Sequence, residues 1–215
     1  DVSSQKEILD LLELIHDDIS GIKIGLQYIT QRSPEEIREL SKFKKPIFYD
    51  GKFFDIKNTL VESVKSLKNL NVNYATVHLL NGLDALKAAN QAAQEIDLNL
   101  LGVSVLTSFS DKDLESLGFN NKVEDQVKRL IKIAMEANLH GVICSPLETK
   151  MIKEIAPNLK CFTPGIRMGE EKDDQKRTMS ANEAIKEGSD CLIIGRPITK
   201  GNPKENIKNI LLSIK

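Results

Sequence analysis

The residues best suited to chemistry lie in Tyr49-Asp50-Gly51-Lys52-Phe53-Phe54-Asp55-Ile56. Asp50 and Lys52 are two positions apart, the spacing that turns both side chains to one side of a strand. They close an apolar run, and Asp55 follows in the loop. Lys23, in Gly21-Ile22-Lys23-Ile24-Gly25, ends or nearly ends another such run. A lysine flanked by isoleucines is costly to bury unless anions pair with it. Together these residues read as an alternating array of lysine and aspartate. A fixed ammonium of this kind can stabilise negative charge that develops in a transition state, and it can donate a proton. Taken singly, a lysine or aspartate at a strand end is usually a solvated loop residue or half of a surface ion pair; the Asp50-x-Lys52 spacing divides evenly between that and a functional reading, and Lys23 alone supports the functional one less.

Two further clusters suit an anion. Thr163-Pro164-Gly165-Ile166-Arg167 is followed by Asp174-Gln175 and Arg177, and Ile193-Ile194-Gly195-Arg196-Pro197-Ile198-Thr199 lies near the end. Each is a strand running into Gly or Pro with an arginine at the loop. Glycine lets the backbone approach a ligand closely, and arginine can add a charge-assisted contact. The plainer reading is an ordinary βα turn with a solvated arginine.

The elements that must position these residues alternate. Strands are expected at Ile22–Leu26, Pro46–Lys52, Tyr74–Leu79, Leu100–Leu106, Gly141–Ser145, Cys161–Pro164 and Cys191–Arg196. Several are apolar on nearly every residue, as in a parallel sheet covered on its outer face. Helical stretches lie between them. Ser33-Pro34-Glu35-Glu36 reads as an N-cap, a proline at the first helical position and an acidic first turn. Asn58–Leu70 and Lys122–Asn138 place apolar residues at helical spacing, and Asn202-Pro203 opens a final helix ending near Ile214. This alternation predicts βαβ units on a parallel sheet. An α/β barrel of the (β/α)8 TIM type needs one more strand ahead of the first helix, roughly Ser4–Ile15. The chain begins with Asp1 and not Met, so that strand is expected just upstream, with Asp1 at its C-terminal end. In such barrels active sites form at the C-terminal face of the strands, and the last two loops often hold phosphate. The competing architecture is an open, doubly wound sheet. No repeat or linker divides the chain, so residues 1–215 are expected to form one domain.

Composition narrows the function classes. The 215 residues are 40% hydrophobic and 28% charged, as in a folded globular chain. No run approaches the roughly 18 apolar residues of a membrane helix. A net charge of −1 gives no reason to expect nucleic acid or an anionic membrane as partner. Cys144, Cys161 and Cys191 form no CxxC pair and lie in apolar stretches, which points to reduced, buried thiols and a cytoplasmic protein. Their spacing with His16, His78 and His140 gives a zinc site no support.

Across essentially the whole chain, the motifs resemble the orotidine 5′-phosphate decarboxylase family. Asp1-Val2 is similar to the family's first-strand aspartate, and Lys23 in Ile-Lys-Ile-Gly to its second-strand lysine. Asp50-x-Lys52-x-x-Asp55-Ile56-x-Asn58-Thr59 is similar to the third-strand signature, and Leu106-Thr107-Ser108 to the segment that contacts the pyrimidine. Thr163–Arg167, Asp174-Gln175-x-Arg177 and Gly195-Arg196-Pro197-Ile198-Thr199 resemble the phosphate end. Phe54 and Lys57 stand where many bacterial members have His and Pro.

The resemblance implies conversion of orotidine 5′-monophosphate to UMP and CO₂ in pyrimidine biosynthesis, without metal or cofactor. Lys52, Asp50, Asp55 and Lys23 would carry the catalysis. Asp1, Ile56, Thr59, Thr107, Pro164, Arg167, Gln175, Gly195 and Arg196 would bind substrate. It also implies a homodimer in which Asp55 and Ile56 reach the neighbouring site. The nearest rival is a sugar-phosphate decarboxylase or aldolase of the same superfamily, which shares Asp-x-Lys-x-x-Asp but uses Mg²⁺. A non-catalytic phosphate-binding barrel is the other.

Overall fold

The structure is a computed structural model, and it describes residues 2, 4–167 and 177–214. Among the described residues seven strands form one sheet: β1 (Ile22–Gly25), β2 (Ile47–Phe53), β3 (Tyr74–His78), β4 (Asn99–Val103), β5 (Gly141–Ile143), β6 (Lys160–Thr163) and β7 (Cys191–Leu192). Every neighbouring pair is parallel, and the spatial order follows the sequence from β1 to β7.

Parallel neighbours need crossovers, and helices supply them. Helix α1 (Gln5–Ile15) precedes β1, and α2 (Leu26–Ile29) and α3 (Pro34–Glu39) follow it. Then α4 (Lys57–Ser66) follows β2, α5 (Leu83–Gln94) follows β3, and α6 (Asp111–Ser116) and α7 (Val123–Glu136) follow β4. The series continues with α8 (Thr149–Ile155), α9 (Ala181–Lys186), α10 (Arg196–Thr199) and α11 (Pro203–Ser213). Ser33 caps α3 with Pro34 at its first turn, as the sequence signals, and the Glu36 carboxylate accepts from the Ser33 N–H in return. The amphipathic α7 buries Val127, Leu130, Ile131 and Ala134 against the sheet.

Alternation along each strand separates two apolar layers. Outward residues such as Ala75, Val77, Leu100 and Val142 join the helices in the main core. Inward residues Phe48, Leu101 and Phe162, with Tyr74, Ile143, Cys191 and Ile193, form a second cluster. Phe48 on β2 and Phe162 on β6 are four strands apart, yet their ring centroids are 6.3 Å apart. A flat sheet keeps such strands far apart, since neighbours are about 4.8 Å from each other. The sheet is therefore curled around its inner face, as a barrel wall is.

Six of the seven strands end earlier than expected: β1, β3 and β6 by one residue, β5 by two, β4 by three and β7 by four. Leu26 opens α2 in place of ending β1. Strand β4 stops at Val103, and Ser104 after it donates both its N–H, at 3.3 Å, and its hydroxyl, at 3.0 Å, to the Ile143 carbonyl. Strand β7 keeps two residues, since Gly195 (φ −104°, ψ −98°) leaves the extended region and Arg196 begins α10.

Candidate active site

Three sequence-predicted residues meet at the C-terminal mouth of β1 and β2. The register pairs Lys23 with Phe48 and Gly25 with Asp50, so the long Lys23 side chain reaches one layer up to Asp50. Lys52 Nζ lies 2.8 Å from Asp50 Oδ2, and Lys23 Nζ lies 3.3 Å from the same oxygen. Asp50 is buried, while Lys52 is half-buried and open to a ligand. Burial works against the Asp50 charge, but the Lys23 and Lys52 ammoniums and the hydrogen bonds from Lys52 and Thr76 outweigh it. Its carboxyl therefore stays below the ordinary range. Two ammoniums on one carboxylate leave this cluster net positive, which suits an anionic substrate.

Lys52 adopts φ +48°, a left-handed conformation uncommon for a residue with a side chain. The β2–β3 register shifts between Tyr49 and Phe53, and Lys52 sits within that irregularity. Bulges of this kind re-aim side chains next to functional sites.

Asp55 stands apart from this trio. Its carboxylate accepts from Ile56 N at 2.7 Å, and its own N–H donates to Asn81 Oδ1 at 3.1 Å. Among the described residues no ion pair joins Asp55 to Lys52. Asp55, Ile56 and Thr59 are exposed, in the loop after β2 and the first turn of α4. Among the described residues, Phe54 and Ile56 are the most exposed large apolar side chains, at 63% and 74%.

The ends of β6 and β7 are neighbours, through the pairing of Thr163 with Leu192. Pro164 and Arg196 are half-buried, Gly195 is exposed, and Arg167 is buried with Nη1 donating to the Ile166 carbonyl. A Cβ on Gly195 would meet nothing within 4 Å, so the backbone there is open to a ligand. Gly165 has φ +83°, and a Cβ there would come within 2.9 Å of the Arg177 carbonyl. Glycine is therefore required at this close approach. Thr107 lies in the turn after β4. Asp1 and Gln175 lie outside the described residues.

Several site residues carry no signal in the motifs. Thr76 bonds to both Asp50 and Lys52. Asn81 donates to the Phe53 and His78 carbonyls while accepting from Asp55 N, which pins the loop after β2 to the end of β3. His78 is held below its ordinary titration range by burial and by the Lys52 charge. Arg177, placed in the phosphate motif by sequence, pairs with the buried Glu148 and donates to the Leu106 carbonyl at 3.0 Å. The only sequence clue to Thr76 and His78 is their parity with Tyr74 on β3. Nothing local marks Asn81 or Glu148.

Residues 1–210 match the sequence model of the Orotidine 5′-phosphate decarboxylase / HUMPS family. The chain is 38% identical over 213 residues to the orotidine 5′-phosphate decarboxylase of Wolbachia sp. subsp. Brugia malayi (strain TRS), covering 99% of this chain and 95% of that one. It is 38% identical over 217 residues to the enzyme of that name from Legionella pneumophila (strain Corby), covering 98% and 95%. The crystal structure of orotidine 5′-phosphate decarboxylase from Lactobacillus acidophilus superposes with a TM-score of 0.87 at 30% identity, covering 100% of this chain and 96% of that one. The fold is the TIM barrel of these relatives, and the chain belongs to the Orotidine 5′-phosphate decarboxylase / HUMPS family.

Proposed function

We propose that this chain decarboxylates orotidine 5′-monophosphate to UMP and CO₂. The observation that carries the reading is the Lys23–Asp50–Lys52 cluster, with one ionised carboxylate oxygen between two ammoniums at the mouth of the barrel. The names of the relatives support the same substrate.

Loss of CO₂ from the C6 carboxylate leaves an electron pair on C6. The Lys52 ammonium stabilises that charge as it forms and then transfers its proton to C6, and water reprotonates the amine. Only stabilisation that grows toward the transition state speeds the step, and a charge fixed in advance costs little reorganisation. Asp50 and Asp55 keep Lys52 charged and aimed, and Lys23 completes the network through Asp50. Asp50 also lies near the departing carboxylate. Asp55 of a second subunit completes the array in a homodimer, and exposed Phe54 and Ile56 favour that contact. Asp1 and Lys23 contact the ribose, and Thr107 reads the pyrimidine edge. Ile56 and Thr59 line the shared edge. Pro164, Arg167, Gln175, Gly195 and Arg196 hold the phosphate end, whose remote binding energy orients the ring.

Residues 1–215 act as one domain and use no metal or cofactor. Among the described residues no helix is long and apolar enough to cross a membrane, and all three cysteines are free thiols. The thiols support a cytoplasmic setting. The partners are the nucleotides and a second copy of the chain, with no role for nucleic acid or membrane.

The test is the fall in ultraviolet absorbance of orotidine monophosphate, followed with and without exhaustive chelation. Equal rates are expected. Reversible loss with chelator, or turnover of a pentulose or hexulose phosphate in its place, would select the Mg²⁺-dependent rival.

A further inference from the structure

Thr76 lies in the middle of β3 and points into the barrel mouth beside β2. It is fully buried. Its hydroxyl accepts from the Lys52 backbone N–H at 2.8 Å and meets Asp50 Oδ1 at 3.0 Å. An ionised carboxylate only accepts, so the single hydroxyl proton goes to Asp50 and a lone pair faces Lys52 N. Both bonds have one possible direction.

The two bonds do different things. One residue lies between Ala75 and Val77 while three lie between their partners Tyr49 and Phe53, so β2 carries surplus chain opposite Thr76. A regular ladder cannot serve Lys52 N there, and the hydroxyl takes the place of a ladder acceptor. It thereby holds a backbone at φ +48° that is unfavourable without support. On the other side it fixes Oδ1 of Asp50, leaving Oδ2 for Lys52 and Lys23. The carboxylate cannot rotate without breaking one of these bonds. The root and the tip of the Lys52 side chain are thus both referred to one hydroxyl on the neighbouring strand.

We propose that Thr76 is a positioning residue for the decarboxylation site, acting through the Lys52 backbone and the Asp50 carboxylate at once. This rests on the reading of Lys52 as proton donor. Small displacements of a reacting group are costly, with about 1 Å enough to lose on the order of a hundredfold in rate.

The experiment compares Thr76→Val, which keeps the shape and removes the hydroxyl, with Thr76→Ser, which restores it. Turnover of orotidine monophosphate, UMP affinity, thermal unfolding and the pH dependence of kcat are measured for each. For Thr76→Val, kcat is expected to fall by about tenfold to a hundredfold, the scale of a lost hydrogen bond to a charged group. KM and UMP affinity should stay within about threefold, and the acid limb of kcat should move to higher pH because Asp50 loses a donor. Thr76→Ser should recover kcat to within about threefold. Unchanged kcat in Thr76→Val, a loss that serine does not rescue, or an unmoved acid limb overturns the proposal. If Thr76→Val fails to fold, Thr76→Ala takes its place, and failure of both assigns Thr76 a structural role and also overturns it. Absence of CO₂ release by the unaltered chain is a separate result, and it removes the decarboxylase reading on which the proposal stands.

Discussion

Arg177 pairs with the buried Glu148 and ties the chain after β6 to the chain after β5. Arg177 also donates to the carbonyls of Val105 and Leu106, at 3.4 and 3.0 Å, and its Nε reaches the Thr107 carbonyl at 3.4 Å. Three loops at the mouth of the barrel therefore share one guanidinium. Glu148 in turn accepts from Ser145 N at 2.9 Å, so its carboxylate is itself fixed. Arg177→Met strands the Glu148 carboxylate in a buried site. We expect a loss of about 3–5 kcal/mol in denaturant unfolding. A double variant with Glu148→Leu should recover part of it, because both charges leave together. A fully additive double variant would show that the pair is not coupled.

Lys52→Ala should abolish turnover while leaving the protein folded. Asp50 keeps Lys23 as a partner in that variant, so its carboxylate is not orphaned. Circular dichroism reports the fold and absorbance reports turnover. Normal turnover would refute the assigned role.

Arg196→Ala should weaken UMP binding. Arg196 opens α10 directly after β7, beside the backbone of Gly195, and it makes no part of the Lys23–Asp50–Lys52 cluster. Loss of a charge-assisted contact to phosphate is worth about 1.5–3 kcal/mol, roughly tenfold or more in Kd. Calorimetric titration checks it, and an unchanged dissociation constant removes Arg196 from the phosphate site.

His78 links the site to acid stability. Burial and the Lys52 charge hold its imidazole below the ordinary value of 6.5. The unfolded chain therefore takes up a proton near pH 6.5 that the folded chain refuses until lower pH. Stability is lost as pH falls below 6.5, and the loss levels off below the folded value. His140 is lowered in the same direction by burial and Lys160, against Asp190. His78→Gln should remove part of the loss between about pH 7.5 and 5.5, read as urea midpoints. An identical decline in the variant would show that His78 is not the group responsible.

Much of this architecture was legible along the chain. The parity that turns Asp50 and Lys52 to one side, the cap at Ser33 and Glu36, and the apolar face of α7 are set by local periods of two and of three to four residues. Those periods also predict seven strands separated by helices, which is the observed order. The ends of β4 and β7 were not legible, because a strand ends where its partner's ladder ends. That partner lies tens of residues away.

The motif likewise names Lys52 without saying what holds it. Thr76 follows Lys52 by twenty-four positions, and Glu148 precedes Arg177 by twenty-nine. Sequence alone determined which side chains could do the chemistry and the order of elements carrying them, since both depend on residue type and short spacing. Only the curled sheet decided which hydroxyl, amide and guanidinium meet at its mouth, since those contacts depend on the register between strands and the packing of distant loops.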